Sequence, residues 1–306
     1  MGTTELINLQ LRMFLIMLIG AFLRRKNLIT ETGKKNLTDL VINLILPCNI
    51  IKSFMIEFNL SILHSFASVF IISIAIQAFC MILGRTLFNH HEPGQKKVLQ
   101  YATAVSNAGF LGNPIAEGVF GSMGLAYASI YLIPQRVVMW SAGISYFTES
   151  PNKKTLLKKV LTHPCIIAVE IGLILMFTQL QLPHFLDSAL TDLSNCNTAI
   201  SMLVIGTILA ELNFSQILDK SVLRFSVLRL ILIPLAVYIV CLIFHAEALV
   251  TGVSVLMAAM PAATTTALLA SKYDCDAPYA TKCVIVTTVL SLISTPIWSV
   301  ILLRAL

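Results

Sequence analysis

Polar and helix-breaking residues gather at two places where the chain is otherwise apolar. Residues 101–122, YATAVSNAGFLGNPIAEGVFGS, have the length and apolar content of a membrane span, yet Asn107, Gly109, Gly112, Asn113 and Pro114 interrupt it. Residues 249–272, LVTGVSVLMAAMPAATTTALLASK, carry Pro261 in mid-span, with Thr264, Thr265 and Thr266 in the turn that follows. Proline lacks an amide hydrogen and clashes with the carbonyl four residues back, so a helix arriving from Tyr101 is expected to stop before Pro114. Asn113 suits an N-cap and Pro114 the first helical position, so a second helix is expected to start there. Two half-helices would then meet inside the bilayer, one ending in unpaired carbonyls and the other beginning with unpaired amides. Amides and a partial positive charge suit a carboxylate, whereas carbonyl ends suit a cation. The side chains of Asn107 and Asn113 can bond an anion or hold the break open, and the hydroxyls of Thr264 and Thr265 can serve freed backbone groups or a ligand. The competing reading is that Asn and Gly here only permit close helix packing.

Ionisable residues within the apolar runs are the second chemical signal. Arg12, Lys52 and Arg136 each cost about 2.5–3.5 kcal/mol if placed at the centre of a spanning helix. Lys52, five residues beyond Pro47, either faces a cavity or snorkels to the outer surface. Arg136, beside Pro134 and deep in its run, calls for a partner or a wet cavity, while Arg12 is nearer an end and is expected to snorkel. Glu117 and Glu170 are the acidic counterparts. Glu117 lies three residues after Pro114, where a helix dipole favours a carboxylate, and either titrates or pairs with Arg136. His90 and His91, in HHEPGQKK, read as solvated rather than metal-ligating, since they lack a helical ligand spacing. Asp187 and Asp192 read as an exterior cap, and Trp140 and Trp298 as packing residues.

Composition sets the surroundings of these groups. The 306 residues are 57% hydrophobic and 12% charged, which describes an integral membrane protein with little chain left for a soluble domain. The formal net charge of +6 does not point to nucleic acid, because the basic residues lie in short segments between apolar runs. The seven cysteines form no C-x-x-C pair, and their odd number argues against a complete disulfide framework. Zinc-protease, serine-hydrolase, paired-aspartate and Walker motifs are absent, so neither an intramembrane enzyme nor an ATP-driven pump is indicated. No catalytic residue, metal or cofactor is expected.

Hydrophobic spans are read at 6–23, 36–58, 62–84, 99–121, 124–147, 161–178, 189–210, 222–244, 248–271 and 280–303, roughly ten in all. The first lacks a basic segment before it and is followed by Arg24, Arg25 and Lys26, so it reads as a retained span rather than a signal peptide. Basic residues follow the odd-numbered spans, with Lys220, Arg224 and Arg229 counted in the connection after the seventh. Both termini are therefore expected outside the cell membrane. The basic linker 149–160 divides the chain into 1–148 and 161–306, with five spans each. An odd number per half forces opposite orientations, so the expected fold is an all-α polytopic membrane protein of two inverted five-helix repeats. In it, helices 4 and 9 are broken and cross at Pro114 and Pro261.

Several stretches carry a family resemblance: SNAGFLGNP at 106–114, MPAATTTALLASKY at 260–273, the early proline in ILPCNIIKSF, and the HP pair opening the sixth span. Together they resemble the auxin efflux carrier family of permeases, in its compact prokaryotic form, over essentially the whole chain. The resemblance implies a scaffold from the first two helices of each half, a transport domain from the last three, and small organic anions, from dicarboxylates to indole-3-acetate, as cargo. It also places Lys52 near a substrate cavity. Gln77 stands where some plant members carry an aspartate linked to proton coupling, so this chain departs from that pattern. The expected partners are thus an organic-anion substrate, the lipid bilayer and H+ or Na+ as coupling ion, with a homodimer admitted. A passive anion channel or a membrane receptor on the same fold is the alternative.

Overall fold

Proline shapes the helices of this chain in a repeated way. The structure is a computed structural model that describes residues 3–147, 158, 161–210 and 219–305. Three helices carry a wide π-turn, at Val41–Ile45, Ala108–Gly112 and Leu228–Leu232. Each π-turn ends two residues before a proline, namely Pro47, Pro114 and Pro234. The carbonyl four residues before each proline falls inside the wide turn, so the extra residue relieves the clash that an α-helical carbonyl would suffer. Pro134 and Pro296 are carried inside helices without such a turn.

The helices, in chain order, are α1 (Thr3–Arg25), α2 (Glu31–Leu40), α3 (Leu46–Ser53), α4 (Leu60–Leu87), α5 (Pro93–Ala104), α6 (Asn113–Trp140), α7 (Ala142–Ser145), α8 (Pro164–Thr178), α9 (His184–Leu209), α10 (Lys220–Val227), α11 (Ile233–Ile243), α12 (Ala248–Ala258), α13 (Thr265–Lys272) and α14 (Ala277–Ala305). Among the described residues there is no β-strand. By length and composition four helical stretches can cross a membrane, Leu60–Leu87, Ala108–Met139, Lys220–Ile243 and Ala277–Ala305, the second of them folded back at Gly121. Pro164–Thr178 and Ala248–Ala258 are shorter apolar helices. This is the framework of a multi-pass membrane protein. The basic linker 149–160 lies outside the described residues apart from Lys158, as does the side chain of Trp140.

The first break is not where proline suggested. Asn113 has helical dihedrals, φ −57° and ψ −51°, and makes no N-cap. The π-turn carries the helix smoothly through Pro114, and the interruption lies upstream, between the end of α5 at Ala104 and Asn107. In the second case Pro261 does lie in the break, which runs from Ala259 to Thr264.

Within α6 the chain turns back on itself at Gly121, whose φ of 69° and ψ of −163° belong to a region that only glycine enters readily. A Cβ added to Gly124 would stand 2.5 Å from the carbonyl oxygen of Ala116, eight residues earlier. In a straight helix those residues would lie about 12 Å apart along the axis. Residues 113–120 therefore form a half-span, and residues 122–140 return beside it.

Backbones also approach closely where α1 runs along α9. Gly20 packs on the Leu203 backbone and Gly206 on the Met17 backbone, leaving no space for a Cβ. Small residues allow such contact in bilayers, where lipid tails remove the hydrophobic drive for helix association. Gly118 of the half-span similarly accepts Leu9 of α1, so the short helix is pressed against the α1–α9 pair.

Gly121→Ala is expected to destabilise the protein by about 1–3 kcal/mol, the cost of forcing a non-glycine residue into this conformation. Thermal unfolding of the purified variant checks this; an unchanged midpoint would contradict the reversal at Gly121.

Candidate functional site

Interrupting two spans frees backbone groups in surroundings without water, and the chain supplies partners for them one by one. The two breaks touch. Ser106 and Ala262 form an antiparallel bridge in which the Asn107 amide donates to the Pro261 carbonyl at 2.7 Å. The Ala263 amide donates to the Val105 carbonyl at 3.3 Å. The Ala262 amide donates to Thr287 Oγ1 at 3.1 Å. Gln135 Nε2 donates to the Ser106 carbonyl at 2.7 Å, and Ser106 Oγ returns a bond to Gln135 Oε1 at 3.1 Å. Each contact answers the rule that buried peptide groups must be paired.

Two further carbonyls go to an arginine. Arg229 is 3% exposed and donates from Nε to the Met260 carbonyl at 3.0 Å and from Nη1 to the Thr103 carbonyl at 3.1 Å. Reading Arg229 as part of a basic connection was therefore wrong. It sits at the meeting point of the breaks, inside the apolar run 222–244. That run itself was the available signal, since an arginine within one needs an acceptor at membrane depth. Thr287 lies far from any proline and gave no signal, and Gln135, though next to Pro134, was overshadowed by the charged Arg136 beside it.

Beside the half-span is a cavity of about 250 Å³ lined by Leu9, Arg12, Pro114, Glu117, Gly118, Ser194, Asn195 and Thr198. Helices α1, α6 and α9 supply these residues. Arg12, expected to snorkel, is exposed and lines the cavity together with Glu117. The Glu117 carboxylate accepts from Asn49 Nδ2 at 3.1 and 3.3 Å, so its partner is not Arg136. Asn49 also donates to Ser194 Oγ at 2.8 Å and accepts from Asn197 Nδ2 at 3.0 Å. One buried amide thus ties α3, α6 and α9 together beneath the cavity, a role the sequence did not single out.

The other residues singled out from sequence separate into groups. Gly109 and Gly112 lie in the π-turn. Gly109 faces Arg136, with 3.8 Å between Arg136 Nη2 and the place a Cβ would occupy, and Gly112 packs on Met257 of α12 and Met260 of the second break. Asn113 is completely buried, and among the described residues neither side-chain atom has a hydrogen-bond partner. Arg136 is 4% exposed and its Nη1 is likewise unpartnered. Thr264 is exposed, whereas Thr265 Oγ1 bonds the Tyr101 hydroxyl at 3.0 Å. Lys52 forms an ion pair with Asp187 and is not brought to the breaks, and the Asp187 carboxylate is thereby occupied rather than a simple exterior cap. Glu170 is exposed.

Apolar spans whose interruptions bond to each other, with a polar cavity further along one of them, suit a membrane transporter. A model of the family described as membrane transport protein, that of the auxin efflux carriers, matches residues 6–299, and the chain belongs to this family. It is 29% identical to an uncharacterized transporter of Methanothermobacter thermautotrophicus over 99% of both chains. It is 23% identical to an uncharacterized transporter of Methanocaldococcus jannaschii, covering 95% of this chain and 96% of the relative. A third relative, the uncharacterized transporter YfdV of Escherichia coli K12, is 22% identical over 94% of this chain and 95% of its own length. The family and these relatives are membrane transporters, not enzymes.

Asn49→Ala strands Glu117, Ser194 and Asn197 together and is expected to cost about 1–3 kcal/mol of stability. Asn43→Ala, whose amide bonds only the Asp39 carbonyl on an exposed face, should stay within about 0.5 kcal/mol of wild type. Equal unfolding midpoints for the two variants would contradict the role assigned to Asn49.

Proposed function

We propose that this protein is a secondary active transporter of small organic anions, mono- or dicarboxylates, working by alternating access around the joined breaks. The observation that carries this reading is the cavity in which Arg12, Ser194, Asn195 and Thr198 share walls with Pro114 and Glu117 of the half-span. A guanidinium in a small polar cavity is suited to a carboxylate, which it can engage through two parallel hydrogen bonds. The volume suits a solute of several heavy atoms rather than a drug-sized molecule. Asn113, adjacent to Pro114 and lacking a partner among the described residues, is the second group assigned to the anion, with Asn107, Gly109, Gly112, Pro261, Thr264, Thr265 and Arg136 completing the surrounding frame.

The proposed architecture is ten spans in two inverted halves, 1–148 and 161–306, joined by the linker 149–160 and with both termini outside. Matched interruptions in the fourth span of each half and the alternation of basic connections support it. The proposed coupling step is gain and loss of a proton by Glu117, which shares the cavity with Arg12 and is held by Asn49. Lys52, occupied by Asp187, is assigned a supporting part outside the binding contacts.

Counterflow in proteoliposomes tests the function. Labelled carboxylate should accumulate transiently against an excess of unlabelled carboxylate inside, an overshoot that a passive channel cannot give. Arg12→Gln should weaken carboxylate binding roughly ten- to hundredfold, since a hydrogen bond to a charged group contributes about 1.5–3 kcal/mol. Asn113→Ala should weaken it about fivefold, for roughly 1 kcal/mol, and Lys52→Ala less than either. Unchanged binding by folded Arg12→Gln protein would reject this cavity as the anion site.

A further inference from the structure

We propose that Arg229 is a tethered cation occupying the place where the joined breaks would otherwise attract a mobile monovalent ion. The two carbonyls it holds belong to different chain segments that end at the same point. Thr103 lies in the last turn of α5, and Met260 lies just past the end of α12. The last carbonyls of a helix have no partner within it, and each helix C-terminus carries roughly half a negative charge. Two such ends converging amount to about one negative charge, which a single guanidinium balances. Converging half-helix carbonyl ends are the kind of arrangement that coordinates Na+ in transporters with broken helices.

Among the described residues no carboxylate pairs with Arg229. Its neighbours include Cys80 of α4 and Tyr131 of α6, neither of which supplies a negative charge as a thiol or phenol. A guanidinium stays protonated and carries no acceptor, so every bond it makes here is donated and its charge is permanent. The π-turn Leu228–Leu232 holds Arg229 in this place, joining α10 to α11, while the carbonyls it serves come from α5 and α12. The cation is thereby built into the chain, and these two carbonyl ends are served without sodium. Any ion coupling must then act elsewhere. This consequence fits the proton step assigned to Glu117, but the inference itself stands independently of the cargo.

The test compares thermal unfolding of the purified full-length wild type, Arg229→Lys and Arg229→Gln in choline, sodium and methylguanidinium chloride at equal ionic strength. Wild type and Arg229→Lys should unfold at the same temperature in all three salts. Arg229→Gln should unfold several degrees lower in choline and recover saturably with sodium or methylguanidinium. An Arg229→Gln protein that answers to these cations no differently from wild type overturns the proposal, as does a wild type that sodium stabilises saturably. If Arg229→Gln cannot be purified, Arg229→Lys decides. A folded lysine variant with no cation response supports a tethered charge, whereas loss of the fold shows that the guanidinium's shape alone was required. Failure of Arg12→Gln to alter carboxylate binding would leave this readout intact, so the two proposals fall separately.

Discussion

A peptide group that leaves a helix inside a bilayer must find a partner from the protein, because hydrocarbon offers none. Much of what is specific to this molecule follows from that constraint acting twice, at Val105–Asn107 and at Met260–Ala263. The two interruptions solve part of the problem jointly by bonding to each other as a short antiparallel bridge. Thr287, Gln135 and Arg229 arrive from three other parts of the chain to take further groups. The result is an irregular backbone held by identifiable bonds, which can persist at membrane depth as a defined structure.

This arrangement also divides the charges into different tasks. Arg229 is buried and engaged with carbonyls, so its charge is spent on the backbone. Lys52 is engaged with Asp187. Arg12 is exposed on a cavity that it shares with a held carboxylate, and it is the cation assigned to the solute in the proposed function. Gly118 and Leu9 connect this cavity to packing, since their contact fixes how closely the half-span lies against α1. A movement of the half-span relative to α1 and α9 would change the cavity directly, and it is the motion the proposed alternating access would use.

Much of the helical framework was legible in the chain. Apolar length identified a membrane protein, and the coincidence of Asn, Gly and Pro drew attention to the right two segments. The position of the first break was not legible, because the sequence rule treats proline as a terminator. Three π-turns show that proline can be absorbed by widening the preceding turn, so Pro114 continues a helix that Asn113 does not cap. Arg229 was misread for a related reason. Charge counting assigns an arginine near a span end to the aqueous side, whereas this one has acceptors inside that only the three-dimensional meeting of α5 and α12 provides. Asn49 was missed because a lone polar residue after Pro47 carries no distinguishing spacing, and its value lies in joining three helices far apart in sequence.

The central claim is that the cavity beside the half-span opens to water by turns on the two sides of the membrane. Its most direct test is Thr198→Cys in a protein whose seven native cysteines have been replaced, labelled in oriented vesicles with a membrane-impermeant thiol reagent. The account predicts labelling from each side, with a carboxylate substrate shifting the balance between sides or protecting the thiol. A cysteine at this position that reacts from neither side, in folded protein and with or without substrate, would contradict it.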